Sequence, residues 1–157
     1  MQRDMKLPIY ATALESIVST IRSSDPRLET GGALFGPSDG SKVLHAAGPG
    51  PRAEHGPRSF RRDLTFTQHE AERLYRADRS HWIGEWHTHV DVPPTPSDLD
   101  LHTYAKHMAD RDLGFDRFLA LIIAISESQP ILAAWALERH GNELILTQAG
   151  TQLLDLT

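Results

Sequence analysis

Two long apolar runs constrain this chain most. Phe118 to Ser126 and Ile131 to Arg139 are almost unbroken in hydrophobic residues. A strand with one wet face alternates, so runs like these read as strands covered on both faces. The rest of the chain must then supply the covering elements. From Leu7 to Ser24, Leu14, Ile17, Val18 and Ile21 repeat at helical spacing and mark one helix face. Asp25-Pro26 ends it, because the residue before proline is pushed out of the helical region. Ala33 to Phe35 reads as a short strand between glycines, and Lys42 to Ala47 as its partner across the Pro37–Gly40 turn signals. The glycine- and proline-rich stretch Gly48 to Ser59 reads as a mobile loop. Thr67 to Arg79 reads as a helix capped by Thr67 with Glu70 as partner. Trp82 to His89 reads as a strand, Ser97 to about Asp112 as a third helix, and Glu143 to Thr147 as a last short strand. The expected fold class is mixed α/β, one sheet with helices packed on it.

A chain of 157 residues fits one domain, expected over 1–157 with its core at about 7–147. Such a chain buries roughly 68–70% of its unfolded surface, enough for a core without crosslinks. Cysteine is absent, which excludes disulfides, thiolate metal sites and a cysteine nucleophile. It also excludes the zinc deaminases, whose metal needs cysteine ligands. A net charge of −5 speaks against a broad polyanion-binding surface, so no nucleic-acid partner is expected. The apolar run Phe118 to Ile125 is far shorter than the roughly 20 residues of a membrane helix. The N-terminal Met-Gln-Arg-Asp-Met-Lys leads into an amphipathic segment and not into a signal-peptide core. The expectation is a soluble cytoplasmic protein with no membrane partner.

The chemistry concentrates between Gly84 and Asp100. Gly84-Glu85-Trp86-His87-Thr88-His89 is followed, after seven residues, by Ser97-Asp98-Leu99-Asp100. Side chains at i and i+2 of a strand share a face, so His87 and His89 present two imidazoles to one side. The linker carries Pro93, Pro94 and Pro96, and a stiff linker costs less entropy to order. Asp100 lies three residues into the helix that Ser97 starts. Two imidazoles and one carboxylate, with a fourth position left to water, form the ligand set of a catalytic zinc site. Neutral imidazoles favour zinc over magnesium or calcium. The plain alternative is that His-X-His decorates a surface and that Ser97 and Asp100 form only a helix cap. The two readings are compatible, since a capped helix start can still aim Asp100 at a metal. Glu85 shares the histidine face by strand alternation, either as an outer partner fixing an imidazole tautomer or as a base.

Glu29, a gap, then His87-X-His89-X7-Ser97-X2-Asp100 resembles the motif of the JAMM (MPN-plus) zinc metalloprotease and isopeptidase family. Glu29, Gly32, Leu34 and Gly36 also stand in the family's Glu-X2-Gly-X-Leu-X-Gly register. The resemblance spans roughly Leu7 to Thr147, as a bacterial single-domain form. It implies a curved, mostly antiparallel sheet flanked by helices, of cytidine-deaminase-like architecture. It implies one zinc per chain on His87, His89 and Asp100, with Glu29 as general base and Ser97 as the oxyanion donor. The implied reaction is hydrolysis of an amide or isopeptide bond at the C-terminus of a ubiquitin-like or sulfur-carrier protein. Activating and conjugating enzymes are the implied associates. Val90 stands where proline commonly follows the second histidine, Thr88 replaces a serine, and Glu85 replaces a frequent tryptophan. The first two bear on loop shape and substrate fit more than on chemistry, and the Glu85 departure weakens transfer of eukaryotic ubiquitin specificity.

The competing functions are a hydrolase of small peptides or amides, a non-catalytic MPN-type scaffold, and a protein resembling the RadC type. The complete motif counts against the scaffold. The charge and the lack of room for a DNA-binding domain count against the RadC type. Arg52, Arg58, Arg61 and Arg62 are expected to be a solvated loop, or else to dock an acidic partner or its tail. Trp82 and Trp86 are expected in the core on the face opposite the histidines, and His102 and His107 at the surface.

Overall fold

The computed structural model describes residues 5–126 and 129–155. The one-domain expectation and the reading of the first residues therefore include positions, 1–4, 127, 128, 156 and 157, that lie outside the described residues. The elements in chain order are β1 (Lys6–Tyr10), α1 (Ala11–Arg22), β2 (Gly31–Gly36), β3 (His45–Ala46), β4 (Glu54–His55) and β5 (Phe60–Arg61). They continue with α2 (Leu64–Asp78), β6 (His81–Val90), α3 (Asp98–Ala109), β7 (Arg117–Ile125), β8 (Ile131–His140) and β9 (Glu143–Leu154). No helix among the described residues is long and apolar enough to cross a membrane.

Seven strands form one sheet in the order β1-β9-β8-β7-β6-β2-β3. β1 with β9 and β6 with β7 are parallel, and the other neighbours are antiparallel. The fold is mixed α/β with a mostly antiparallel curved sheet, as expected. Two features go beyond the expected single curved sheet. Its edges nearly meet, because Ile9 of β1 bridges Val43 just ahead of β3. The Tyr10 N–H donates to the Val43 carbonyl and the Val43 N–H to the Pro8 carbonyl, both at 2.9 Å. Separately, β4 and β5 make a two-stranded hairpin of their own.

The apolar runs do what their composition requires. On one face of β7, Leu119, Leu121 and Ile123 join Trp86 of β6 and Ala13 and Ile17 of α1 in the largest core. On the other, Phe118 and Ala120 pack against Tyr104 and Met108 of α3. Leu74 of α2 covers Ala33 and Phe35 of β2. Thus α1 fills one side of the curved sheet while α2 and α3 cover the other.

Several boundaries differ from expectation for identifiable reasons. The first part of the expected helix is instead β1, where Leu7 and Ile9 are buried and alternate with more exposed neighbours. β9 is longer than expected because, beyond its pairing with β8, it continues along β1. The cap of α2 is Asp63, whose carboxylate accepts from the Phe66 N–H at 3.1 Å, and not Thr67. The Gly48–Ser59 segment is tied down: the Glu29 N–H donates to the Gly56 carbonyl at 2.8 Å and the Asp63 N–H to the Pro49 carbonyl at 2.9 Å. Finally, the register between β2 and β6 slips by one residue, Leu34 facing Gly84 but Phe35 facing Trp82. This bulge inverts side-chain alternation at Ile83. Ile83 joins Trp86 in the main core, and Trp82 moves to the histidine face, contrary to the expected alternation.

Candidate metal centre

The β6–α3–β7 unit joins two parallel strands through a helix, and ligands in α/β sheets collect at the carboxyl ends of such strands. His87 and His89 sit in the last part of β6, and the linker returns the chain so that α3 begins beside them. Ser97 caps α3. Its Oγ accepts from the Asp100 N–H at 3.0 Å, and the Ser97 N–H donates to Asp100 Oδ2 at 2.9 Å. The capping box and the ligand geometry therefore coexist: the oxygen held by the cap is the one that faces the histidines.

His87 Nε2 lies 3.1 Å from His89 Nε2, and Asp100 Oδ2 lies 3.2 Å from the first and 3.1 Å from the second. Ligand atoms on a tetrahedral zinc with bonds of 2.0–2.1 Å stand about 3.3–3.4 Å apart. The donor set fits such an ion. His89 Nδ1 stands 2.8 Å from the Pro93 carbonyl, an oxygen that only accepts, so Nδ1 carries a proton and Nε2 is the nitrogen left to offer a lone pair to a metal. Both imidazoles are buried, 3% and 4% exposed. Glu85 Oε1 lies 3.8 Å from His87 Nδ1, on the histidine face as alternation requires.

Glu29 is also buried, at 6% exposure. It is placed by backbone and not by its own side chain. The next residue, Thr30, exchanges bonds with Thr88 between the two histidines: Thr88 N–H to the Thr30 carbonyl at 2.8 Å and Thr30 N–H to Thr88 Oγ1 at 3.0 Å. Gly31 follows because a Cβ there would fall onto the Trp86 carbonyl and crowd His87. Glu29, Glu85, His87 and Asp100 line one cavity of about 650 Å³, walled by the β4–β5 hairpin and by α3.

Burial pushes the Glu29 carboxyl above its ordinary value, against the pull of His87 and His89. Burial does the same to Glu85, against His87 and Arg62. Burial also works to raise Asp100, but its bonds to His87 and His89 hold it well below the usual carboxylate range. The cavity lining is mixed in charge, with Glu29, Glu54, Glu85 and Asp100 beside Arg58, Arg61, Arg62 and Lys106, so the case for a metal rests on the converging ligand atoms.

Residues 11–139 match the prokaryotic homologs of the JAB domain. This chain belongs to that family. A CD-NTase/cGAS isopeptidase of Pseudomonas aeruginosa (strain BWHPSA011 / Pa011) is 34% identical to this JAB-family chain over 106 residues. That match covers 64% of this chain and 66% of the relative, just under two thirds of its length. The solution structure of protein DSY2949 from Desulfitobacterium hafniense shares the JAB-family chain's fold. Its TM-score is 0.66 at 21% identity, covering 96% of this chain and 94% of that one.

Of the motif residues of the JAB-family chain, Glu29, His87 and Asp100 line one cavity, His89 shares the cluster with His87 and Asp100, and Ser97 caps α3 against Asp100. Sequence reasoning missed other cavity residues. Arg62, expected in a solvated loop, is buried, with Nη1 3.1 Å from Glu85 Oε2. His107, expected at the surface, stacks on Phe118 and meets the Trp82 ring edge-on. Burial lowers its pKa to about 4, so it stays neutral. The i, i+3, i+4 spacing of Tyr104, His107 and Met108 was the available signal that His107 belongs to the covered face of α3.

Proposed function

We propose that this JAB-family chain is a zinc hydrolase that cleaves an amide or isopeptide bond at the C-terminus of a ubiquitin-like or sulfur-carrier protein. The convergence of His87 Nε2, His89 Nε2 and Asp100 Oδ2 carries this reading. Zinc bound there supplies a Lewis acid for the scissile carbonyl and a water of lowered pKa. Glu29, buried beside the triad and raised by that burial, takes the water's proton and returns it to the leaving amine. The Ser97 hydroxyl, already accepting from the Asp100 N–H, keeps its own O–H to donate to the developing oxyanion. No covalent intermediate with the protein is needed. The isopeptidase name of the Pseudomonas relative supports the same bond class. Activating and conjugating enzymes that make such conjugates are the proposed associates.

The test is to measure bound zinc, then offer fusions of candidate ubiquitin-like and sulfur-carrier proteins. Glu29→Gln should keep the zinc and lose hydrolysis by roughly 10²–10⁴-fold. A fully active Glu29→Gln variant beside an inactive Glu85→Gln variant would reverse the assignment of the base.

A further inference from the structure

Glu85 divides its two oxygens. Oε2 meets Arg62 Nη1 at 3.1 Å, and Oε1 faces His87 Nδ1 at 3.8 Å. At 3.8 Å Glu85 acts on His87 as a nearby charge, which favours the tautomer with its proton on Nδ1 and its lone pair on Nε2. That is the tautomer a ligand in this cluster requires. Its orientation therefore depends on what holds Glu85.

What holds it is a chain of contacts that begins in an irregularity of the sheet. The bulge in β6 turns Trp82 onto the histidine face. Trp82 Nε1 donates to the Gly84 carbonyl at 2.7 Å, fixing the ring. At Gly84 the strand presses so closely on β7 that a Cβ would overlap the Leu119 carbonyl, so this anchor cannot shift. The Arg62 guanidinium then lies over the Trp82 ring at 4.8 Å and reaches Glu85. Arg62 is only 11% exposed, and its Nε has no partner among the described residues. Burying an arginine with an unpaired N–H costs stability. A solvated arginine directly after β5 would be cheaper. Its burial is explained if it serves the neighbouring carboxylate.

We propose that Arg62 is a positioning residue of the metal centre: stacked on Trp82, it aims Glu85 at His87 Nδ1 and so presents His87 Nε2 to the metal. The inference rests on the metal-centre reading above but not on any substrate. Because Arg62 sits between the hairpin and the cap of α2, it also ties the wall of the cavity to the ligand.

The test uses the whole chain and zinc alone. In zinc-loaded wild-type protein, ¹⁵N spectroscopy of the histidine rings should show His87 bound through Nε2 with its proton on Nδ1. Binding through Nδ1 would overturn the proposal with no variant needed. By competition with a chelator, Arg62→Gln should weaken zinc binding roughly 10–100-fold, the usual effect of losing an outer partner. Arg62→Lys should recover part of the loss. In a Glu85→Gln background, Arg62→Gln should add little, since both act through one contact. A folded Arg62→Gln protein with wild-type zinc affinity and an unchanged His87 tautomer would sink the inference. Wild-type protein that binds no zinc at all would instead sink the metal-centre reading on which it stands.

Discussion

The two walls of the cavity are built differently. On one side, His87, His89 and Asp100 come from one short stretch, positioned by contacts within that stretch: the capping box and the Pro93 carbonyl. On the other, Glu29 and Arg62 come from distant parts of the chain and are placed by tertiary bonds. The His55 ring stands 2.9 Å from the Glu29 carbonyl, the Glu29 N–H donates to Gly56, and Arg62 pairs with Glu85. The ligand wall is thus encoded locally, and the wall holding the base is encoded through the fold. The difference teaches that holding the ion and using it should be separable by mutation at Glu29, whereas Arg62 joins the two walls through Glu85.

The largest expected effect lies on the ligand wall. Asp100→Asn keeps the size of the side chain and part of the helix cap but removes the anionic ligand. Zinc affinity should fall by more than the roughly 10–100-fold that losing an outer partner costs, and hydrolysis should go with it. Zinc content after dialysis and a chelator titration would measure this. A variant that kept full zinc would break the comparison, because the local wall would then not be the metal wall.

Ser97 caps α3 against the ligand Asp100, and its two roles can be parted. Ser97→Ala removes both the cap and the hydroxyl, costing about 1 kcal/mol of stability. Ser97→Gly also loses the hydroxyl but costs only a few tenths of a kcal/mol as a cap. If the hydroxyl stabilises the oxyanion, turnover should fall roughly 10²–10³-fold in both. Turnover that tracked stability instead would make Ser97 a helix cap and nothing more.

The same contrast explains what could be read from the chain beforehand. The ligand stretch was legible because strand alternation and a helix start fix side-chain directions over a few residues. The doubly covered strands were legible because unbroken apolarity has few other solutions. Arg62 and Trp82 were not legible, because a one-residue bulge at Ile83 reverses the alternation on which any reading of β6 depends. The order of the Gly48–Ser59 segment was likewise hidden in bonds to Glu29 and Asp63, far off or at its end. β1 was overlooked because Leu7 and Ile9 adjoin a strong helical pattern, although Pro8 already disfavours a helix interior there.

The smallest effect should come from Asp63, which anchors the distal wall by capping α2 and accepting from the Arg52 N–H at 3.0 Å. Its carboxyl is held below the ordinary value, first by the Phe66 N–H bond and then by the Arg52 and Thr65 N–H groups, against some burial. A depressed carboxylate stabilises the fold above its unfolded pKa of about 3.9 and loses that contribution as pH falls through the lower folded value. Asp63→Ala should therefore lower the melting temperature near neutral pH by roughly 2–4 °C. The gap to wild type should narrow as the pH is taken below about 3.9. Zinc affinity should fall far less than in Arg62→Gln, since the ligands meet this cap only through Arg62 and Glu85. A melting gap that stayed constant down to low pH would mean that the loss comes from packing and not from the ionised cap. A fall as large as that of Arg62→Gln would show that the start of α2 couples the two walls by itself, and the ligand wall would then not be encoded locally.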